Sequence, residues 1–239
     1  MLPPLVLVPG LACTPRLFAP LVDVLGQDAI SVQIAEHLGP DTIGEIADQI
    51  LAASPPYFAL AGLSMGGYIA LEMALRAPDR VNHLGLFNTK ISPDSPEKAA
   101  SRRELIALAE DSRFEDVIDR LLPAFLHPAR LEDADLVATV RAMAHDVGPD
   151  RFIAQERALL SRENRLQQAA KLEMPTLVIA GDADQLMPAD AADEIRRTIP
   201  HATLVTIETC GHLSTLERPV AVAHAIADWL GLPLAENRV

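Results

Sequence analysis

The sequence predicts an α/β chain: a mostly parallel, doubly wound sheet with helices on both faces and a helical insertion. Three observations lead there. Short, continuous apolar runs recur along the chain with helical patterns between them, which is the texture of strands buried on both faces rather than of strands with one wet side. At 239 residues and 49% hydrophobic composition the chain can bury a full core as one domain with an insertion. Finally, residues 91–172 carry 27 charged residues in 82, against 26 in the other 157, so that segment has a different character from its flanks.

In chain order, strands are expected near Leu5–Val8, Ile30–Ile34, Tyr57–Ala61, Val81–Phe87, Thr176–Ala180 and Thr203–Ile207. Between the second and third, Thr42-Ile43-Gly44-Glu45 fits a capping box that starts a helix running through Ile50. In the charged segment, Ser95 before Pro96 is a helix cap followed by a residue suited to the first helical position. Further helices are expected at Phe114–Leu122, Leu131–His145 and Asp150–Ser161. The last helix is expected over Pro219–Leu230, with Val220, Val222, Ile226, Trp229 and Leu230 in the core. The division that follows is a core of residues 1–90 and 173–239 with a helical cap of residues 91–172. No repeat or low-complexity run interrupts it.

One motif carries chemistry. Gly62-Leu63-Ser64-Met65-Gly66 sits where the third strand gives way to a helix, and about 0.02 matches to G-x-S-x-G are expected by chance in a chain of this composition. On such a turn the serine backbone is strained and its hydroxyl exposed, which makes Ser64 a candidate nucleophile. The N–H of Met65, at the positive end of the following helix, can stabilise an oxyanion formed there. A serine needs a base, and the base needs an acid to orient it. Beyond the fifth strand lie Asp182 and Asp184, and beyond the sixth comes Cys210-Gly211-His212.

With these residues in the order Ser, Asp, His, the chain resembles the α/β-hydrolase superfamily, and within it the small capped esterases and enol-lactonases of bacteria, over nearly its whole length. The resemblance implies the α/β-hydrolase fold, with Ser64 as nucleophile, Asp184 as acid and His212 as base; Asp182, one residue past Gly181, is the alternative acid, better placed to cap the turn. Some relatives carry the acid after an earlier strand, but here Asn88-Thr89-Lys90 offers no carboxylate. The resemblance also nominates the N–H of Leu11 as second oxyanion donor, in a loop where Pro9 replaces the usual histidine, and makes residues 91–172 a lid that shapes the pocket. It implies hydrolysis of a small carboxylic ester or lactone through an acyl-enzyme. The alternatives are a carbon–carbon bond hydrolase of dienone or diketone products and a non-catalytic ligand receptor on the same fold. An enol-lactone reading would need a lid cation for an acidic substrate, with Arg102, Arg103, Arg130, Arg141 and Arg157 as candidates.

Other classes are disfavoured. A formal charge of -13 argues against a nucleic-acid partner. The first residues, Met1-Leu2-Pro3-Pro4, lack a basic region and a long apolar run, so no membrane association and a cytoplasmic location are expected. Cys13 and Cys210 are then expected as free thiols. Of the remaining histidines, His37 follows the second strand and could reach the pocket rim, while His83, His127, His145, His201 and His224 read as structural or solvated. No zinc-hydrolase spacing and no glycine-rich phosphate loop is present, so neither metal nor cofactor is expected.

Overall fold

The computed structural model describes residues 3–26, 29–37, 39–187 and 189–233. Its centre is one sheet of six parallel strands: β1 (Leu5–Val8), β2 (Val32–Ile34), β3 (Phe58–Leu63), β4 (Val81–Phe87), β5 (Thr176–Gly181) and β6 (Ala202–Ile207), in the spatial order β2-β1-β3-β4-β5-β6. The continuous apolar runs have their explanation in this position, because alternate residues face two separate cores. Val6, Val8, Phe58, Leu60 and Val178 point to one side, Leu5, Leu7, Ala59, Ala61, Leu177 and Ile179 to the other. The edge strand β2 is shorter than the expected run from Ile30, and its three residues are only half-buried.

Helices α2 (Ile43–Ala53) and α3 (Met65–Arg76) cover the first face together with α8 (Ala189–Thr198). The second face is covered by α1 (Ala19–Leu25) and α10 (Pro219–Leu230). At the start of α2 the Thr42 hydroxyl oxygen accepts from the Glu45 N–H (3.3 Å) and its proton goes to the Glu45 carboxylate (2.9 Å), a variant of the expected capping box. Helix α10 runs over the expected residues, but Val220 and Trp229 are half-buried rather than core. The Trp229 indole N–H needs an acceptor and donates to the Pro175 carbonyl (3.2 Å) near the start of β5, with its ring edge-on to His83.

The chain leaves β1 for β2 at one edge and returns to β3 on β1's other side, so β1 and β3 are neighbours whose following segments depart in opposite directions. Such a switch point opens a crevice at the carboxyl ends of the strands. Between β4 and β5 come α4 (Pro96–Glu110), α5 (Phe114–Phe125), α6 (Ala134–Leu160) and α7 (Leu166–Ala169). Ser95 caps α4 by accepting from the Lys98 N–H (3.2 Å). The two helices expected at Leu131–His145 and Asp150–Ser161 form one run that leaves helical geometry only at Gly148 (φ 74°, ψ 168°), just before Pro149. Leu131 lies before it and is exposed. The short α9 (Ser214–Glu217) precedes α10. Among the described residues no helix is long and apolar enough to cross a membrane.

Candidate active site

Ser64 stands between β3 and α3 with φ 57° and ψ -114°, outside the regions that L-residues ordinarily adopt. The strain is held from several directions. Its N–H donates to the Phe87 carbonyl (2.9 Å), and its own carbonyl accepts from Gly67 N–H (2.9 Å) and the Thr89 hydroxyl (2.9 Å). The glycines of the motif are needed for close approach: a Cβ on Gly62 would lie 2.0 Å from the Gly66 carbonyl oxygen, and one on Gly66 would lie 1.9 Å from that of Val8.

At the carboxyl end of β5, the Asp184 carboxylate accepts four hydrogen bonds. Oδ1 takes the N–H groups of Leu186 (2.9 Å) and Met187 (3.1 Å), Oδ2 takes the Asn88 amide (3.0 Å), and the His212 Nδ1–H reaches both oxygens (3.0 and 2.9 Å). Burial alone would raise this carboxyl, but the His212 charge and these donors outweigh it, and the group lies below its ordinary pKa. Asp182 is engaged elsewhere: its oxygens accept from the N–H groups of Thr209 (2.9 Å) and Cys210 (3.0 Å), tying the β5 turn to the loop after β6.

His212 is completely buried. Its N–H, with that of Leu213, donates to the Phe125 carbonyl at the end of α5 (both 3.1 Å), and the Phe125 ring stacks on the imidazole with centroids 6.0 Å apart. Its Nε2 is buried with no hydrogen-bond partner among the described residues. No bond therefore joins it to Ser64 Oγ among the described residues; the two halves expected to form a triad lie at the carboxyl end of the sheet without that link. The Leu11 and Met65 N–H groups likewise have no partner among the described residues.

Two residues here escaped the sequence reading. Asn88, noted only for lacking a carboxylate, has positive φ (46°), a geometry asparagine tolerates. Its amide donates to Asp184 and to the Gly211 carbonyl (3.2 Å), and its oxygen accepts from the Ser214 hydroxyl (2.6 Å). Glu217 is buried, which raises its pKa; its carboxylate accepts from the N–H groups of Gly211 (3.0 Å) and His127 (2.8 Å), bolting the His212 loop to the segment after α5. An amide or acid at a strand or helix end beside a candidate site was the available signal.

Ser64 opens into a cavity of about 40 Å³, walled by Leu11, Tyr68, Leu186 and Met187 from the sheet side and by Lys98, Arg102, Leu121, Phe125, Glu156 and Leu159 from helices α4–α6. Of the five arginine candidates only Arg102 lines it, paired to Asp94 (2.7 Å) and Glu156 (2.8 Å). Arg103 is exposed; Arg130, Arg141 and Arg157 pair with Asp133, Asp119 and Glu110. Lys98, which the sequence reading passed over, has no carboxylate partner among the described residues. Next to this cavity, a basin of about 420 Å³ shares Tyr68, Lys98, Leu186 and Met187 with it. His37 does not reach the cavity; it is buried behind the loop after β1. Among the described residues no three His, Cys, Asp or Glu side chains stand together as metal ligands.

Comparison with known proteins adds to this geometry. Residues 3–219 match a family model described as the alpha/beta hydrolase fold. The chain is 28% identical over 180 residues to a protein of Pseudomonas savastanoi named as a carbamate hydrolase, covering 71% of this chain and 66% of that one, so it spans just under two thirds of that relative's length. It is 24% identical to 3-oxoadipate enol-lactonase 2 of Acinetobacter baylyi, covering 88% and 78% of the two chains. A solved esterase from Thermogutta terrifontis superposes with a TM-score of 0.85 at 26% identity, covering 95% of this chain and 89% of that one.

Proposed function

The chain belongs to the alpha/beta hydrolase family, and from that premise we propose that it is a serine hydrolase acting on a small carboxylic ester or lactone through an acyl-enzyme. The observation that carries the reading is the strained Ser64 on its elbow at the same carboxyl end of the sheet as an Asp184–His212 pair whose Nε2 is buried and has no partner among the described residues. With Nδ1–H given to Asp184, Nε2 carries the ring's lone pair and has no other partner among the described residues, which leaves it open to the serine proton. In the proposed first step Ser64 Oγ bonds to the substrate carbonyl carbon and its proton passes to His212 Nε2. Asp184, ionised because its carboxyl lies below the ordinary range, stabilises the imidazolium. The carbonyl oxygen, now an oxyanion, accepts from the N–H groups of Leu11 and Met65. Collapse breaks the bond to the leaving oxygen, which takes the proton from His212. Water then repeats the sequence on the acyl-enzyme and frees the acid.

Helices α4–α6 act as the lid in this reading, since most of the cavity wall comes from them. The lactone branch is favoured by one feature, Lys98 at the cavity wall, which has no carboxylate partner among the described residues and would suit a substrate with an anionic group.

The test is hydrolysis of p-nitrophenyl esters, acetate to decanoate, by the wild type and Ser64→Ala. The substitution should cut turnover by roughly a thousandfold or more. Equal rates in both proteins would sink the serine mechanism, and faster cleavage of an acid-bearing ester than of its neutral isostere would select the lactone branch.

A further inference from the structure

The loop that follows β1 holds its shape against its own preferences. Pro9 supplies no N–H, Ala12 has a positive φ (55°) without being glycine, and Leu11 N–H between them has no partner among the described residues. Two buried side chains from distant parts of the chain restrain it. His37, after β2, places Nε2 2.9 Å from the Pro9 carbonyl oxygen, and Gln155, from the second half of α6, takes the Ala12 N–H on Oε1 at 2.9 Å. The two are joined to each other, with Gln155 Nε2 3.3 Å from His37 Nδ1.

The chemistry of each group leaves one arrangement. A carbonyl can only accept, so His37 Nε2 carries the proton and donates to Pro9. An N–H can only donate, so the Gln155 oxygen faces Ala12 and its NH₂ faces the ring. Neutral His37 then accepts that NH₂ on Nδ1, and burial holds the imidazole below its ordinary pKa, which keeps it neutral. Every polar atom of the pair in this network is used once, and both residues are all but inaccessible, at 3% and 2% exposure.

We propose that His37 and Gln155 form a brace that positions the Leu11 N–H as oxyanion donor and makes that donor depend on the docking of lid helix α6. The proposal rests on the serine hydrolase reading above. Neither residue lines the Ser64 cavity, so both are positioning residues. The contacts fall on Pro9 O and Ala12 N, the atoms flanking Gly10–Leu11. The Gly10 carbonyl itself accepts from Cys13 N–H (3.3 Å), so releasing either brace contact leaves the Gly10–Leu11 peptide on that one longer bond and lets the N–H that must point at the developing charge shift. A buried network that served packing alone would influence stability and leave the transition state untouched.

The experiment compares bond-breaking variants of similar bulk, His37→Phe and Gln155→Met, with bond-keeping ones, His37→Gln and Gln155→Glu, on p-nitrophenyl acetate. In the last, a carboxylate still accepts from Ala12 N–H and can pair with a protonated His37. Losing an oxyanion donor outright costs about 100–1000-fold in kcat, so misplacing one should cost about 10–100-fold, with KM within about threefold. Affinity for phenylboronic acid, whose tetrahedral adduct puts an oxygen in the same place, should fall by a similar factor. The bond-keeping variants should stay within about threefold of wild type, and the double variant His37→Phe/Gln155→Met should be no slower than the slower single. Full kcat in the bond-breaking variants overturns the brace, as does equal damage in the bond-keeping ones or strict additivity. Ser64→Ala in the same assay separates the failures: if it retains wild-type turnover the serine reading has failed, whereas if it is inactive while His37→Phe and Gln155→Met run at full rate only the brace has.

Discussion

Asn88 sits where the strand after the nucleophile ends, and its amide turns one side to Asp184 and Gly211 and the other to Ser214. It thereby fixes the carboxylate that faces His212, using a side chain that is 1% exposed. Replacing Asn88 by alanine removes three hydrogen bonds, leaves buried partners unpaired and places a residue less tolerant of φ 46° at that position. We expect a loss of about 1–3 kcal/mol in urea unfolding together with a lower kcat, because Asp184 loses one of its restraints. Unchanged stability and kcat would show that Asp184 needs no help from this amide. At the same scale, Asp182 and Asp184 are two residues apart and have separate duties, the one holding a turn through backbone N–H groups and the other facing the imidazole.

Among the elements, α4 and α6 meet over the cavity through charged groups rather than through apolar side chains alone. Asp94 pairs with Lys90, Arg102 and Arg162, and Arg102 reaches on to the buried Glu156. Burial pushes the Asp94 carboxyl up, but Arg102 and Arg162 overcome this and bring it down to about 2. A carboxyl whose pKa is lower in the folded chain stabilises the fold above its unfolded value near 4, and that stability is lost as pH falls toward the folded value. Between about pH 4 and pH 2 the wild type should therefore lose about 1–2 kcal/mol that Asp94→Asn lacks at every pH. Guanidinium unfolding of both proteins across this window checks it; parallel curves would mean that Asp94 titrates alike in both states. Helix α5 is coupled differently, by backbone: the Phe125 carbonyl receives the N–H groups of His212 and Leu213, so the end of α5 contributes to the loop that carries the imidazole.

At the scale of the whole molecule, the two cysteines illustrate how burial decides reactivity. Cys13 and Cys210 are free and buried, and burial pushes both thiols up to about 12, so neither is a thiolate at neutral pH. Ellman's reagent at pH 8 should find no reactive thiol in the native protein and two after unfolding in guanidinium; rapid native reaction of either would show that its surroundings open. The same global view separates what could be read from the chain and what could not. The six strands, the parallel sheet, the caps at Thr42 and Ser95 and the Gly62–Gly66 elbow were legible because each depends on local pattern, on apolar runs, turn residues and the few conformations a residue type permits. Ser64, the two carboxylates Asp182 and Asp184, and His212 were legible as residues just past strand ends, and the choice of Asp184 came from the family resemblance. The partners of these residues were not: Asn88 against Asp184, Glu217 across Gly211 and His127, Lys98 rather than an arginine left free at the cavity, and Gln155 brought 118 positions along the chain to His37. The amino-acid sequence by itself determined the strands, their parallel sheet and the candidates at its carboxyl end, since these follow from short-range physics, while the strand order came with the tertiary structure. Only the tertiary structure decided which buried polar group meets which, because a hydrogen bond between distant residues is set by how helices and sheet pack and leaves no periodic trace in the chain.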